Sequence, residues 1–187
     1  MAYSSYRSSL IALWVVLLTG LTSVQVLSAP RFTDENDGTV TDNTTGLVWL
    51  KDANCSAKLN GINKTGALFN KERNRTLTWS DAVTWVTALE SGYCDLRDGS
   101  RPGQWRLPSL SELQSLFDYS VSNQPILPAG YPFTGVQFSN GLTGGSYWSS
   151  TRFMPSNSAA WSVDFGGAIM AFSKDSESHV WPVRDRK

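Results

Sequence analysis

Apolar residues recur at Leu110, Leu113, Leu116 and Phe117, the spacing of one helical face. Ser109 precedes this run and Glu112 follows three residues later, a capping box in which each side chain satisfies the other residue's backbone N–H. Pro108 joins that helix to a strand-like Trp105-Arg106-Leu107. A second stripe, Trp79, Ala82, Val83, Val86 and Leu89, follows the cap signal Thr78-Trp79-Ser80-Asp81 and predicts a helix ended by Gly92. Trp85 falls off that stripe, which makes it a candidate exposed aromatic. Before the helices, Phe32-Thr33, Thr39-Val40-Thr41 and Leu47 to Leu50 flank turns at Asp37-Gly38 and Thr45-Gly46 and predict a β-meander. After them come strand patterns at Tyr147–Thr151, Ala160–Phe165, Ile169–Phe172 and Val180–Arg184, with a Gly166-Gly167 hairpin. The order is strands, helix, strand, helix, a long connection from Ser120 to Gly145, then antiparallel strands, an α+β pattern.

Composition adds a core and removes a global field. The chain has 187 residues, 41% of them apolar, and eight tryptophans, enough for one folded domain. Formal net charge is zero, so nothing attracts nucleic acid or a membrane surface over the whole molecule. Arg7, the apolar run Leu10 to Leu18 and the small residues through Ser28 read as a signal peptide over residues 1–28, with one domain over residues 30–187. An uncleaved N-terminal anchor is the alternative reading. The apolar run is short of the ~20 residues that span a bilayer, so no stable membrane span is expected after processing. A secreted, periplasmic or cell-surface location follows. In such a compartment Cys55 and Cys94 are expected to form a disulfide.

Candidate chemistry concentrates in loops. Asp34, Asn36, Asp37 and Asp42 could hold calcium, but turn chemistry accounts for the same residues and no other cofactor is implied. Lys58, Lys64, Lys71, Arg73 and Arg75 face a single acid, Glu72, between Ala53 and Thr76. That segment is either solvated surface or an anion-binding loop for sulfated or carboxylated polysaccharide, with Arg97 and Arg101 brought near by the cysteine tether. Asn43, Asn63 and Asn74 stand in N-x-T sequons. Tyr131 and Phe133 in the long connection are further candidates for exposed aromatics. For catalysis the chain offers one histidine, His179, in a Ser/Asp/Glu-rich stretch that reads as surface. Asp81, Glu112, Asp164 and Glu177 are the available carboxylates, and Glu112 and Asp81 already have helix-start roles. No catalytic or metal-binding set is assigned, and the reading is non-enzymatic.

The segments GTVTDNTTGLVWLKDANC, LTWSDAVTW, WRLPSLSELQSL, YWSST and VWPVR, in that order, resemble the C-terminal domain family of the Legionella collagen-like adhesin over about Phe32 to Arg184. The resemblance implies a C-type lectin-like fold, two helices on twisted antiparallel sheet with a long loop region, in an exported protein. It also implies adhesion, since the named adhesin is linked to sulfated glycosaminoglycans. This chain lacks a collagen-like repeat before the domain, so its oligomeric state stays open. Gln124-Pro125-Ile126 and Trp161-Ser162-Val163-Asp164 depart from the calcium-binding motifs of sugar-binding lectins, because an apolar residue cannot ligate the metal. The expected function is therefore an adhesion-type module for polysaccharide or another cell-surface ligand. A structural or protein-interaction subunit of a surface assembly is the alternative, and a carboxylate-dependent glycan enzyme the least favoured.

Overall fold

The computed structural model describes residues 30–57, 76–118, 127–128, 130–138 and 145–186. Strands β1 (Phe32–Asp34), β2 (Thr39–Asp42) and β3 (Leu47–Leu50) form the meander that the turn residues predict. Thr33 lies opposite Thr41, and Val40 opposite Trp49. The first turn needs residues that tolerate left-handed backbone: Asn36 has φ 58° and Gly38 φ 89°. At Gly38 space also decides, since a Cβ there would stand 2.5 Å from the carbonyl oxygen of Asp95.

Helix α1 (Trp79–Ala88) starts at Thr78, whose side chain accepts from the Asp81 N–H, and α2 (Leu110–Ser115) starts in the predicted capping box of Ser109 and Glu112. Both helices end early. Leu89 is already extended, so Gly92 shapes the following turn, with φ 98°, and does not cap the helix. α2 stops where Leu116 and Phe117 turn into the core, the Phe117 ring resting 4.9 Å from Phe165.

Strands β4 (Ser146–Arg152), β5 (Ala159–Asp164) and β6 (Ile169–Ser173) make a second antiparallel sheet in that order. Gly166 and Gly167 form the β5–β6 hairpin, where the Gly166 N–H donates to Asp164 Oδ1 at 2.7 Å. The last described strand, β7 (Val183–Asp185), crosses back to the first sheet and pairs with β3, Trp49 opposite Val183, giving the order β1-β2-β3-β7. Trp105-Arg106-Leu107 contributes only a single bridge, Arg106 to Val183.

The expected arrangement of two helices packed on one twisted sheet, in the manner of C-type lectin-like domains, is overturned. The described residues build two antiparallel sheets of four and three strands with two short helices, a sheet-dominated fold. Packing explains the outcome. α2 buries Leu113 and α1 buries Ala82, Trp85 and Val86. The centre of the core is instead a set of strand and loop aromatics around Trp181. Its ring centroid lies 5.6 Å from Trp49, 4.9 Å from Phe133, 5.5 Å from Tyr147 and 5.5 Å from Phe165. A buried indole removes about 150–250 Å² from water, worth about 4–6 kcal/mol, against about 1.5–3 kcal/mol for a leucine. Strand and loop aromatics therefore make the centre of the core, and the helices pack around it. Arg184 closes the C-terminal edge, pairing at 3.1 Å with a buried Asp98 and lying 5.3 Å over the Trp105 ring.

Candidate functional site

The cysteine pair forms the expected disulfide, Cys55 to Cys94, with Cα atoms 5.6 Å apart. It pins the short turn Cys55–Ala57, just after β3, to the loop that follows α1. Cys94 and the next residue, Asp95, are both left-handed, at φ 55° and 59°, a costly conformation for residues with a Cβ. The disulfide and the buried Leu96 hold them there, and the Arg97 N–H donates to the Asp37 carbonyl at 2.7 Å. The post-helix loop is thus fastened to the β1–β2 turn.

Between these loops opens a polar cleft of about 420 Å³. Asn36 and Gly38 form one wall, Cys94, Asp95 and Arg97 a second, and Lys51, Asp52 and Thr134 the floor and rim. The floor is rigid. The Thr134 N–H donates to the Lys51 carbonyl at 2.9 Å, and the Ala53 N–H to Thr134 at 2.8 Å. Asp52 is buried, and its Oδ1 accepts from the Asn54 N–H at 3.0 Å. The Lys51 ammonium meets Asp34 Oδ2 at 2.5 Å, and that hydrogen bond holds the Asp34 carboxyl below its ordinary 3.8. Arg97 and Asp95 are exposed, and neither side chain makes an ion pair or hydrogen bond among the described residues.

Of the basic residues nominated from sequence, Arg97 lines this cleft and Arg101 does not. Arg101 is exposed on the next turn, where its N–H donates to Gln104 Oε1 at 3.0 Å. Lys58, Lys64, Lys71, Arg73 and Arg75 lie outside the described residues, as do the leader-like residues 1–28, Asn63, Asn74 and Gln124-Pro125-Ile126. Sequence reasoning missed Lys51, Asp52, Asp95 and Thr134. The available signal was the cysteine tether, which predicts that the residues flanking Cys55 and Cys94 meet.

Other nominated side chains have structural partners. Asp34 accepts from the Asn36 N–H at 3.0 Å, Asp37 from both Thr39 donors, and Asp42 from Arg31 and the Thr44 N–H. These are turn-forming bonds and ion pairs. No group of three or more His, Cys, Asp or Glu side chains is gathered for a metal among the described residues. Asp81 accepts from the Thr78 hydroxyl, Glu112 completes its cap, Asp164 holds the β5–β6 turn and Glu177 accepts from Thr76. His179 is a correction: it is buried, not on the surface, with its ring 5.4 Å from Tyr147 and its backbone N–H donating to the Ser146 carbonyl. Polar neighbours disguised it, although the run from Ser178 to Val183 is buried throughout. Trp85 and Phe133 are buried as well, and Tyr131 packs against Phe133 at 6.3 Å, so none of them is an exposed stacking platform.

The ordered segments around this cleft match one family. A family model described as the Lcl C-terminal domain covers residues 38–184. The chain belongs to that family. The Lcl C-terminal domain match starts at Gly38 in the cleft wall and ends at Arg184 in β7, so it takes in both helices, the second sheet and the disulfide. Searches of curated proteins and of solved structures return no match. Among the described residues no helix is long and apolar enough to cross a membrane.

Proposed function

We propose that this Lcl C-terminal domain is a non-catalytic, adhesion-type module of an exported protein that binds anionic polysaccharide. The observation that carries this reading is the tether. The run containing Lys58, Lys64, Lys71, Arg73 and Arg75 begins directly after the turn that the Cys55–Cys94 disulfide fixes beside Arg97. Charge-assisted bonds from several Lys and Arg side chains add along a repeating anionic chain, and the overall neutral charge leaves recognition to this local patch. The structural roles of Asp81, Glu112, Asp164 and Glu177 support a non-catalytic reading, and a disulfide supports an oxidising compartment.

A dextran-sulfate column developed with a salt gradient tests this. The mature domain is expected to stay bound at physiological ionic strength, about 0.15 M, and to elute at higher salt. Replacing Lys58, Lys64, Lys71, Arg73 and Arg75 by serine should move elution to lower salt. Flow-through of the unmodified domain at about 0.15 M would sink the reading.

One observation favours a second reading, a subunit of a surface assembly. β6 is an edge strand, and its Ile169 and Met170 are 40% and 39% exposed. Recovery of a protein partner that is lost on Ile169→Lys would support it.

A further inference from the structure

The cleft differs in chemistry from the basic run of the sequence. Its walls and floor carry two cations, Lys51 and Arg97, and two carboxylates, Asp52 and Asp95. A densely sulfated group gains from the cations but is repelled by the carboxylates. A neutral sugar leaves the Arg97 guanidinium unmatched. The complementary ligand is a small polyol with one carboxylate, whose two coplanar oxygens match the planar guanidinium fork, whereas a sulfate's tetrahedral oxygens do not all lie in its plane. Its carboxylate takes the planar fork of Arg97, and the Lys51 ammonium, which gives Asp34 one hydrogen bond, has donors to spare. Its hydroxyls donate to the exposed Asp95 carboxylate, and the Thr134 hydroxyl serves either way.

Size agrees with this. A volume of about 420 Å³ sits at the low end of the range for ligand sites, about 300–1,000 Å³, and suits one sugar ring with its nearest substituents. The loops are also ordered in advance. The disulfide, the left-handed Cys94-Asp95 pair and the bond from Arg97 to Asp37 fix the wall before any ligand arrives, which lowers the entropic cost of binding.

We infer that the cleft is a subsite for a single carboxylated sugar residue, a hexuronate, with Arg97 and Lys51 on the carboxylate and Asp95 on the ring hydroxyls. This inference rests on the reading of the domain as a glycan-binding module and names the residue class that one part of it selects.

Amide-resolved NMR titration of the mature domain with sodium glucuronate, glucose and glucose 6-sulfate decides the matter. Glucuronate should shift the amides of Asn36 to Gly38 and Asp95 to Arg97 with a Kd in the millimolar range, glucose and glucose 6-sulfate at least about tenfold more weakly. Arg97→Ala should weaken glucuronate at least about tenfold, while Asp95→Asn, which keeps a residue that tolerates left-handed backbone, should weaken it several-fold. The remaining amides report that each variant is folded. Glucose 6-sulfate binding as well as glucuronate, or glucuronate binding that survives Arg97→Ala, would overturn the inference, and so would unmoved cleft amides. Dextran-sulfate retention without glucuronate shifts would overturn the subsite and leave the polyanion reading intact. Glucuronate shifts without retention would do the reverse.

Discussion

Indole N–H groups staple neighbouring segments to one another. Trp181 donates to the Leu50 carbonyl at 2.8 Å, Trp148 to Leu77 at 2.7 Å, Trp79 to Ser149 at 2.9 Å and Trp105 to the Ser100 hydroxyl at 3.1 Å. Each ring buries apolar area and its one polar atom finds an acceptor in the same placement. Trp181 does this at the meeting point of the two sheets. Trp181→Phe is expected to cost about 1–3 kcal/mol, because the Leu50 carbonyl loses a buried donor. Trp181→Ala should cost about 3–5 kcal/mol, the range for an aromatic deleted from a core. Urea unfolding measures both. A loss below about 1 kcal/mol for Trp181→Ala would contradict the central role given to this residue. At this scale the sequence identified most of the aromatics as core but misplaced Trp85, Phe133 and His179. Helical spacing and polar neighbours describe a residue's own segment, and burial is decided by what packs over it from elsewhere.

Among the elements, α2 is the one that most needs its cap. Six residues do not hold a helix in isolation, so its start must be supported from outside. Glu112 accepts from the Ser109 N–H at 2.7 Å and from both terminal nitrogens of Arg106 at 2.8 Å, and Arg106 also reaches Asp185 of β7 at 3.0 Å. Burial alone would raise the Glu112 carboxyl, but the bonds from Arg106 and Ser109 outweigh it and leave the group below its ordinary 4.5. A depressed carboxyl contributes stability above its unfolded value and loses it as pH falls through the folded one. The difference in unfolding free energy between the native domain and Glu112→Gln should therefore be full at neutral pH and shrink below about pH 4.5. Denaturation at several pH values checks it, and a difference that stays constant into acid would refute the assignment. Ser109→Ala should cost about 1 kcal/mol by the same assay. These caps and the meander turns were legible in the sequence because their partners lie within a few residues.

The whole molecule depends on contacts that no local pattern records. Strand periodicity marked β5 and β6 correctly, yet Ser162 and Asp164 are buried together with Val163, so β5 is covered on both faces and simple alternation misdescribes it. The partition into two sheets was illegible, because β7 joins a strand from the beginning of the domain. The cleft was illegible for the same reason. Asn36, Lys51, Asp95 and Thr134 come from four separate loops, and only Arg97 was nominated for its charge. Long-range covalent closure is what the sequence did disclose. The disulfide spans 39 residues, and in the chain-entropy model removing it costs about 4 kcal/mol. The double variant Cys55→Ser with Cys94→Ser should show that loss in urea unfolding, and its cleft amides should shift even without ligand. Unchanged cleft amides would mean that the hydrogen bonds alone set the wall.

The pairing of β3 with β7 also sets an order of events. β3 has β2 on one side and β7 on the other, and Trp49 waits for Val183. In a nascent chain the second side of β3 stays bare until β7 has emerged. The first sheet is therefore completed only through a long loop closure, the kind of non-local pairing that slows folding. A proteolytic cut ahead of Val183 would return Leu47–Leu50 to a raw edge, open to pairing with any other extended chain.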